Sequence, residues 1–113
     1  MGRRSRNKGK RGEREAAAAV SSALGVAARR GCQYAGSPDS PDIVADVPGV
    51  HFEVKRREQF RLYEALDQAA EEAGDQVPVV LHRTNRKPWV AIVALSELRR
   101  LAVQIYLSLA RDA

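Results

Sequence analysis

Two carboxylates and a lysine lie close together in the run SPDSPDIVADVPGVHFEVKRR, which covers 37–57 of this 113-residue chain. Asp42 follows a proline just ahead of a short apolar segment, and Glu53 and Lys55 close the next such segment as a Glu-x-Lys. Hydrolysis of a phosphodiester needs an attacking water, neutralisation of the charge that grows on the phosphoryl oxygens, and help for the departing 3′ oxygen. One or two divalent ions held by carboxylates supply all three. Asp42 and Glu53 offer hard oxygens suited to Mg2+, with Mn2+ as a substitute, and the carbonyl of Val54 lies between Glu53 and Lys55 as a further donor. Lys55 would orient the water or stabilise the pentavalent transition state. The plainer reading of the same residues is a surface ion pair between Asp42 and Lys55.

Positioning these groups is a task for strands. Segments 43–47 and 50–54 are rich in β-branched residues and separated by Pro48-Gly49, which predicts a hairpin with Val47 opposite Val50, Val44 opposite Glu53 and Asp42 opposite Lys55. Alternation then sends Asp42, Asp46, His51, Glu53 and Lys55 to one face, and Ile43, Ala45, Val47, Val50, Phe52 and Val54 to the other. Pro48 fits a two-residue loop imperfectly, which leaves a longer turn or a bulge open. His51 on the polar face reads as a phosphate contact or an edge residue. Pro38-Asp39 competes with Pro41-Asp42, but only the second directly precedes Ile43-Val44.

The remaining elements follow from period and punctuation. An alanine-rich helix is predicted over 12–24 and stopped by Gly25; 26–34 has room for a short strand, and 35–41 is a loop. A second helix over 60–73 ends at Gly74, with Glu64, Asp67, Glu71 and Glu72 mostly on its wet side. A strand over 77–81 carries Pro78, which favours an edge or a strand start, and a turn leads to a strand over 89–95 with Trp89 as a core anchor. Ser96 is a candidate N-cap for a last helix reaching about 110. Leu98, Leu101, Ala102, Ile105 and Leu109 line one side of that helix, while Val103, Tyr106 and Leu107 widen its apolar surface, as in a homodimer. The order implies an α/β fold with a central mixed β-sheet flanked by helices, as one domain over 11–113 behind a flexible basic arm over 1–10.

Net charge is +5, but it is concentrated. Within the first fourteen residues Arg3, Arg4, Arg6, Lys8, Lys10, Arg11 and Arg14 stand against Glu13 alone, a local charge of +6, and the other ninety-nine residues sum to −1. A cationic arm on a nearly neutral body suits a nucleic-acid backbone. It has none of the aromatic or long aliphatic anchors of a membrane-surface segment. Arg29, Arg30, Arg56 and Arg57, with Arg61, Arg83, Arg86 and Lys87, would extend the positive surface, placing a backbone without encoding a base sequence. Cys32 has no partner, no apolar run spans a bilayer and no leucine-rich signal core is present, so an intracellular setting is expected.

Taken together, KGKRGERE, SPDIVA and HFEVKRR resemble the archaeal-type Holliday junction resolvases and their phage relatives, within the PD-(D/E)xK nuclease superfamily. The resemblance runs from Gly9 through the strand at 89–95 and implies a restriction-endonuclease-like core. It adds Glu13 on the first helix as a further catalytic carboxylate and metal ligand. It also implies a role for Gln68 as a polar active-site residue on the helix after Glu-x-Lys, and for Ser37 as a contact to the scissile phosphate or a turn residue. The activity implied is a Mg2+-dependent endodeoxyribonuclease that resolves four-way DNA junctions as a homodimer, in the cytoplasm of a prokaryotic cell or a phage-infected host. Its rivals are a related nuclease acting on duplex, nicked or flap DNA, and a non-catalytic basic DNA-binding protein.

Overall fold

Alanines spaced to fall on one stripe make the first helix. In the computed structural model, which describes residues 2–31 and 41–111 (the side chains of 2–8 excepted), α1 spans Gly2–Leu24. The backbone is thus already helical across most of the basic segment read as an arm, and the helix starts well before the expected position near Gly12. Ala16, Ala17 and Val20 are buried, with Leu24 packed against them. Gly25, at φ 67, donates its N–H to the Ser21 carbonyl at 2.9 Å, a left-handed stop that glycine takes without steric cost.

The expected hairpin does not form. β2 (Ile43–Ala45) pairs antiparallel with β1 (Ala28–Arg30), setting Arg30 opposite Ile43, and β3 (Val50–Lys55) pairs instead with β4 (Val77–His82). Proline at the first loop position explains the failure, because a tight two-residue hairpin loop needs positive φ there and proline is held near −65°. Val47, expected to pair with Val50, is buried in the core. The β3–β4 pairing is parallel, with Val50 beside Val77 and Lys55 beside His82, and the crossover between them is α2 (Leu62–Ala73).

β5 (Val90–Ile92) returns antiparallel on the other side of β4 but reaches only Val80, Leu81 and His82. β4 is therefore the middle strand of its sheet, yet Pro78 sits below the reach of β5, on a stretch with a single neighbour where a missing N–H costs nothing. The last strand is shorter than the predicted 89–95 because the chain turns into a 3-10 turn at Leu95–Glu97 before α3 (Leu98–Arg111). Ser96 lies inside that turn and is not an N-cap; Ala94 precedes the turn and makes no side-chain cap bond.

Two apolar layers sandwich the β3–β4 pair. Phe52, Val77, Val79 and Leu81 face α1, with Trp89, Leu101 and Ile105 against the same core; Val80 faces Ala65 and Ala69 of α2. The result is an α/β fold with a mixed sheet flanked by helices, as in restriction-endonuclease-like cores. No described helix is long and apolar enough to cross a membrane.

Candidate metal centre and nucleic-acid interface

The site is built where α1, the start of β2 and the end of β3 meet. Glu13 lies on the inward stripe of α1 that continues through Ala16, Ala17, Val20 and Leu24, so helical periodicity carries a carboxylate to the sheet. Gly12 permits the approach: a Cβ there would stand 2.9 Å from Cβ of Arg56. Glu13 accepts a hydrogen bond from Nε of Arg30 on β1 at 2.9 Å.

Asp42 enters by a different route from the one the hairpin implied. Its carbonyl accepts the Gly31 N–H at 2.8 Å, extending the β1–β2 ladder, and its Oδ2 accepts the backbone N–H of Val54 at 2.8 Å. A carboxylate thus caps the edge of β3 that β4 leaves open. The N–H and C=O of one strand residue point to the same edge, so the Val54 carbonyl lies on the Asp42 side as well. Lys55, one residue on, turns its carbonyl the other way, where His82 Nδ1 stands 2.7 Å from it.

Alternation along β3 is as read from the sequence. His51, Glu53 and Lys55 share the face covered by α2, and Phe52 lies on the opposite one. Lys55 donates to Gln68 Oε1 at 2.9 Å, and Gln68 donates to Glu72 at 3.2 Å. Asp46, expected on the catalytic face, is instead exposed and paired with Arg111 at 2.6 Å.

Two expectations for the second helix and third strand give way here. His51 is only 2% exposed, facing Glu53 at 3.5 Å and Glu72 at 3.8 Å, so it is not an exposed phosphate contact, although it does lie on β3, an edge strand of its sheet. Glu72 is turned inward rather than to the wet side of α2. Its only signal in the sequence was its spacing four residues beyond Gln68, beside the Ala65–Ala69–Ala73 stripe.

Crowded acids change their proton affinity. Burial drives the Glu53 carboxyl up to about 7, with further upward pressure from Glu72 and Asp42 and a downward pull from His51. Burial also raises Glu13, opposed by the Arg30 guanidinium and assisted by the negative charge of Asp42. His51 is held above its ordinary value chiefly by its hydrogen bond with Glu53. Hydrogen bonding to Glu53 lowers Glu72. Such a convergence of oxygens fits a divalent cation, which relieves repulsion that one arginine and one lysine leave uncompensated.

The basic residues divide by exposure. Lys10, Arg11, Arg14, Arg29 and Arg57 are exposed. Arg56 is turned inward, donating to the Arg83 carbonyl at 3.4 Å and Asn85 Oδ1 at 2.8 Å, so it ties the end of β3 to the β4–β5 turn. Arg30 is committed to Glu13, and Arg83 donates to Glu15 at 2.7 Å. Side chains of Arg3, Arg4, Arg6 and Lys8, together with Ser37, Cys32 and the Pro38-Asp39 pair, lie outside the described residues.

A mixed sheet with acidic groups and a lysine converging at the end of one strand defines the PD-(D/E)xK class of nuclease. A profile of the family described as archaeal Holliday junction resolvase (hjc) matches residues 4–110, nearly the whole chain, and the protein belongs to that family. No curated protein and no solved structure matches it significantly. The chain is accordingly a nuclease of the PD-(D/E)xK type with a candidate metal centre.

Proposed function

We propose that this protein is a Mg2+-dependent endodeoxyribonuclease that resolves four-way DNA junctions as a homodimer. The observation that carries the reading is the meeting of Asp42 and Glu53 at the open edge of β3, in a chain of this family. Asp42, Glu53 and the Val54 carbonyl would hold the cation, with Glu13 completing the oxygen set from α1. A cation bound there supplies charge neutralisation at the phosphoryl oxygens and a more acidic water.

The rest is the work of this chain's own groups. Lys55 shares with Glu53 the face of β3 covered by α2 and would orient the attacking water or receive charge on the phosphorus oxygens. Gln68 holds that ammonium in place at 2.9 Å. Attack by water displaces the 3′ oxygen and leaves a 5′ phosphate and a 3′ hydroxyl. Exposed Lys10, Arg11, Arg14, Arg29 and Arg57, with the basic residues of 2–8, supply backbone contacts that depend on shape and charge rather than on base sequence.

Two copies would place two such centres on opposite strands of a junction, and α3 offers the surface. Tyr106 is 69% exposed, and Leu98, Val103, Leu107 and Leu109 are each about half exposed. Apolar side chains exposed together on one helix support the reading of α3 as a surface for a second copy. Labelled four-way junctions, matched duplexes and flaps, each incubated with Mg2+ and with EDTA, test the reading. Paired incisions in the junction that vanish with EDTA are expected. Equal cutting of duplex and junction would remove the junction assignment, and no Mg2+-dependent cutting by folded, DNA-bound protein would remove the enzyme.

A further inference from the structure

His51 and Glu72 have no part in the chemistry proposed above, yet they converge on Glu53 inside the protein. His51 Nε2 stands 3.5 Å from Glu53 Oε2 and 3.8 Å from Glu72 Oε2, and one ligand atom from each of the three lies within 4.8 Å of the others. Charge-assisted hydrogen bonds close to about 2.7–2.9 Å, so at 3.5 Å the bond between the imidazole and Glu53 is a long one, and at 3.8 Å the contact with Glu72 is an ion pair only. Ligand atoms around a tetrahedral ion with bonds of about 2.0–2.1 Å stand roughly 3.4 Å apart, and these separations approach that value. The three side chains converge on a common point, linked by the long His51–Glu53 bond and by hydrogen bonding between Glu53 and Glu72.

The donors come from two rigid elements, β3 and α2, and the imidazole is 2% exposed. One nitrogen with two carboxylates is a poor set for Mg2+, which prefers oxygen and keeps several waters, and a good one for Zn2+, Co2+ or Mn2+. We infer that His51, Glu53 and Glu72 form a transition-metal site that shares Glu53 with the catalytic Mg2+ site and opposes its occupancy. The opposition rests on the proposed catalytic reading; the binding does not. Two cations drawing on one carboxylate repel each other, and linkage makes the effect reciprocal: Zn2+ raises the Mg2+ requirement.

Titration calorimetry with Zn2+ and visible absorption with Co2+ read binding without any reference to cleavage. We expect Glu72→Gln and His51→Gln each to weaken the tightest Zn2+ equivalent at least about tenfold and to abolish the Co2+ spectrum of the mixed nitrogen and oxygen set. Glu72→Gln, on the partly exposed side of α2, keeps the test valid if His51→Gln fails to fold. In cleavage, Zn2+ should raise the Mg2+ concentration for half-maximal rate about tenfold in the wild type and hardly at all in Glu72→Gln. Unchanged Zn2+ affinity in Glu72→Gln, or a Mg2+ requirement that Zn2+ leaves untouched in an active enzyme, would overturn the inference. A protein that binds Zn2+ through these residues but cuts no DNA would leave the site standing and sink the nuclease reading alone.

Discussion

The proposed chemistry requires Glu53 as a carboxylate, in a place where burial favours the acid. Its pKa is pushed up to about 7 from an ordinary 4.5, so the folded protein takes up a proton in that interval and stability falls as pH rises through it. His51 acts in the same direction: its pKa is raised above 6.5, and the stability it contributes below that value is lost as pH passes its folded-state pKa. Glu72, lowered chiefly by hydrogen bonding with Glu53, titrates below this window. Denaturant unfolding in EDTA should therefore show the protein less stable at about pH 8 than at about pH 5, by on the order of 3 kcal/mol. Glu53→Gln should flatten that slope, and an unchanged slope would contradict the account. At Lys55, loss of its anchor should matter without being fatal: Gln68→Ala is expected to slow junction cleavage about tenfold with little change in DNA affinity, read by single-turnover kinetics.

Among the elements, Gly31 shows how tightly the approach of Asp42 is built. A Cβ at Gly31 would stand 2.1 Å from the Pro41 carbonyl oxygen, on the ladder that delivers Asp42 to Val54. Gly31→Ala should cost about 1–3 kcal/mol in thermal or denaturant unfolding and reduce cleavage more than DNA binding. The same region marks where sequence reading stopped. Alternation along β3 was legible, because a period of two needs no knowledge of the partner strand, and it correctly grouped His51, Glu53 and Lys55. Strand pairing was not legible. Short β-branched runs carry no record of their neighbour, and a parallel β3–β4 pair is closed only by the α2 crossover between them. Glu72 was missed for a related reason: it flanks the buried alanines of α2, and only the histidine opposite it on β3 decides that it turns inward.

For the whole molecule, the proposed function assigns DNA contact to the basic residues and self-association to α3. Removing residues 1–8 should lower DNA affinity and flatten its dependence on salt, because each lost phosphate contact removes about one released counterion from the slope. Replacing Leu107, about half exposed on α3, with Glu should shift sedimentation toward the monomer if this helix builds the dimer. Paired incisions should then become single nicks. The membership of the family covers nearly the entire chain, while the proposed preference for a branched substrate rests on shape, symmetry and charge.

The most direct test is single-turnover cleavage of a labelled four-way junction with saturating Mg2+, run alongside a binding measurement, for the wild type, Asp42→Asn and Glu53→Gln. Removing either oxygen ligand should cost several kcal/mol of transition-state stabilisation, a loss of about a thousandfold or more in rate, while junction affinity stays within a few fold. Substantial cleavage by either variant, with the protein folded and the junction bound, would show that the chemistry is not done at the edge of β3 where Asp42 and Glu53 meet.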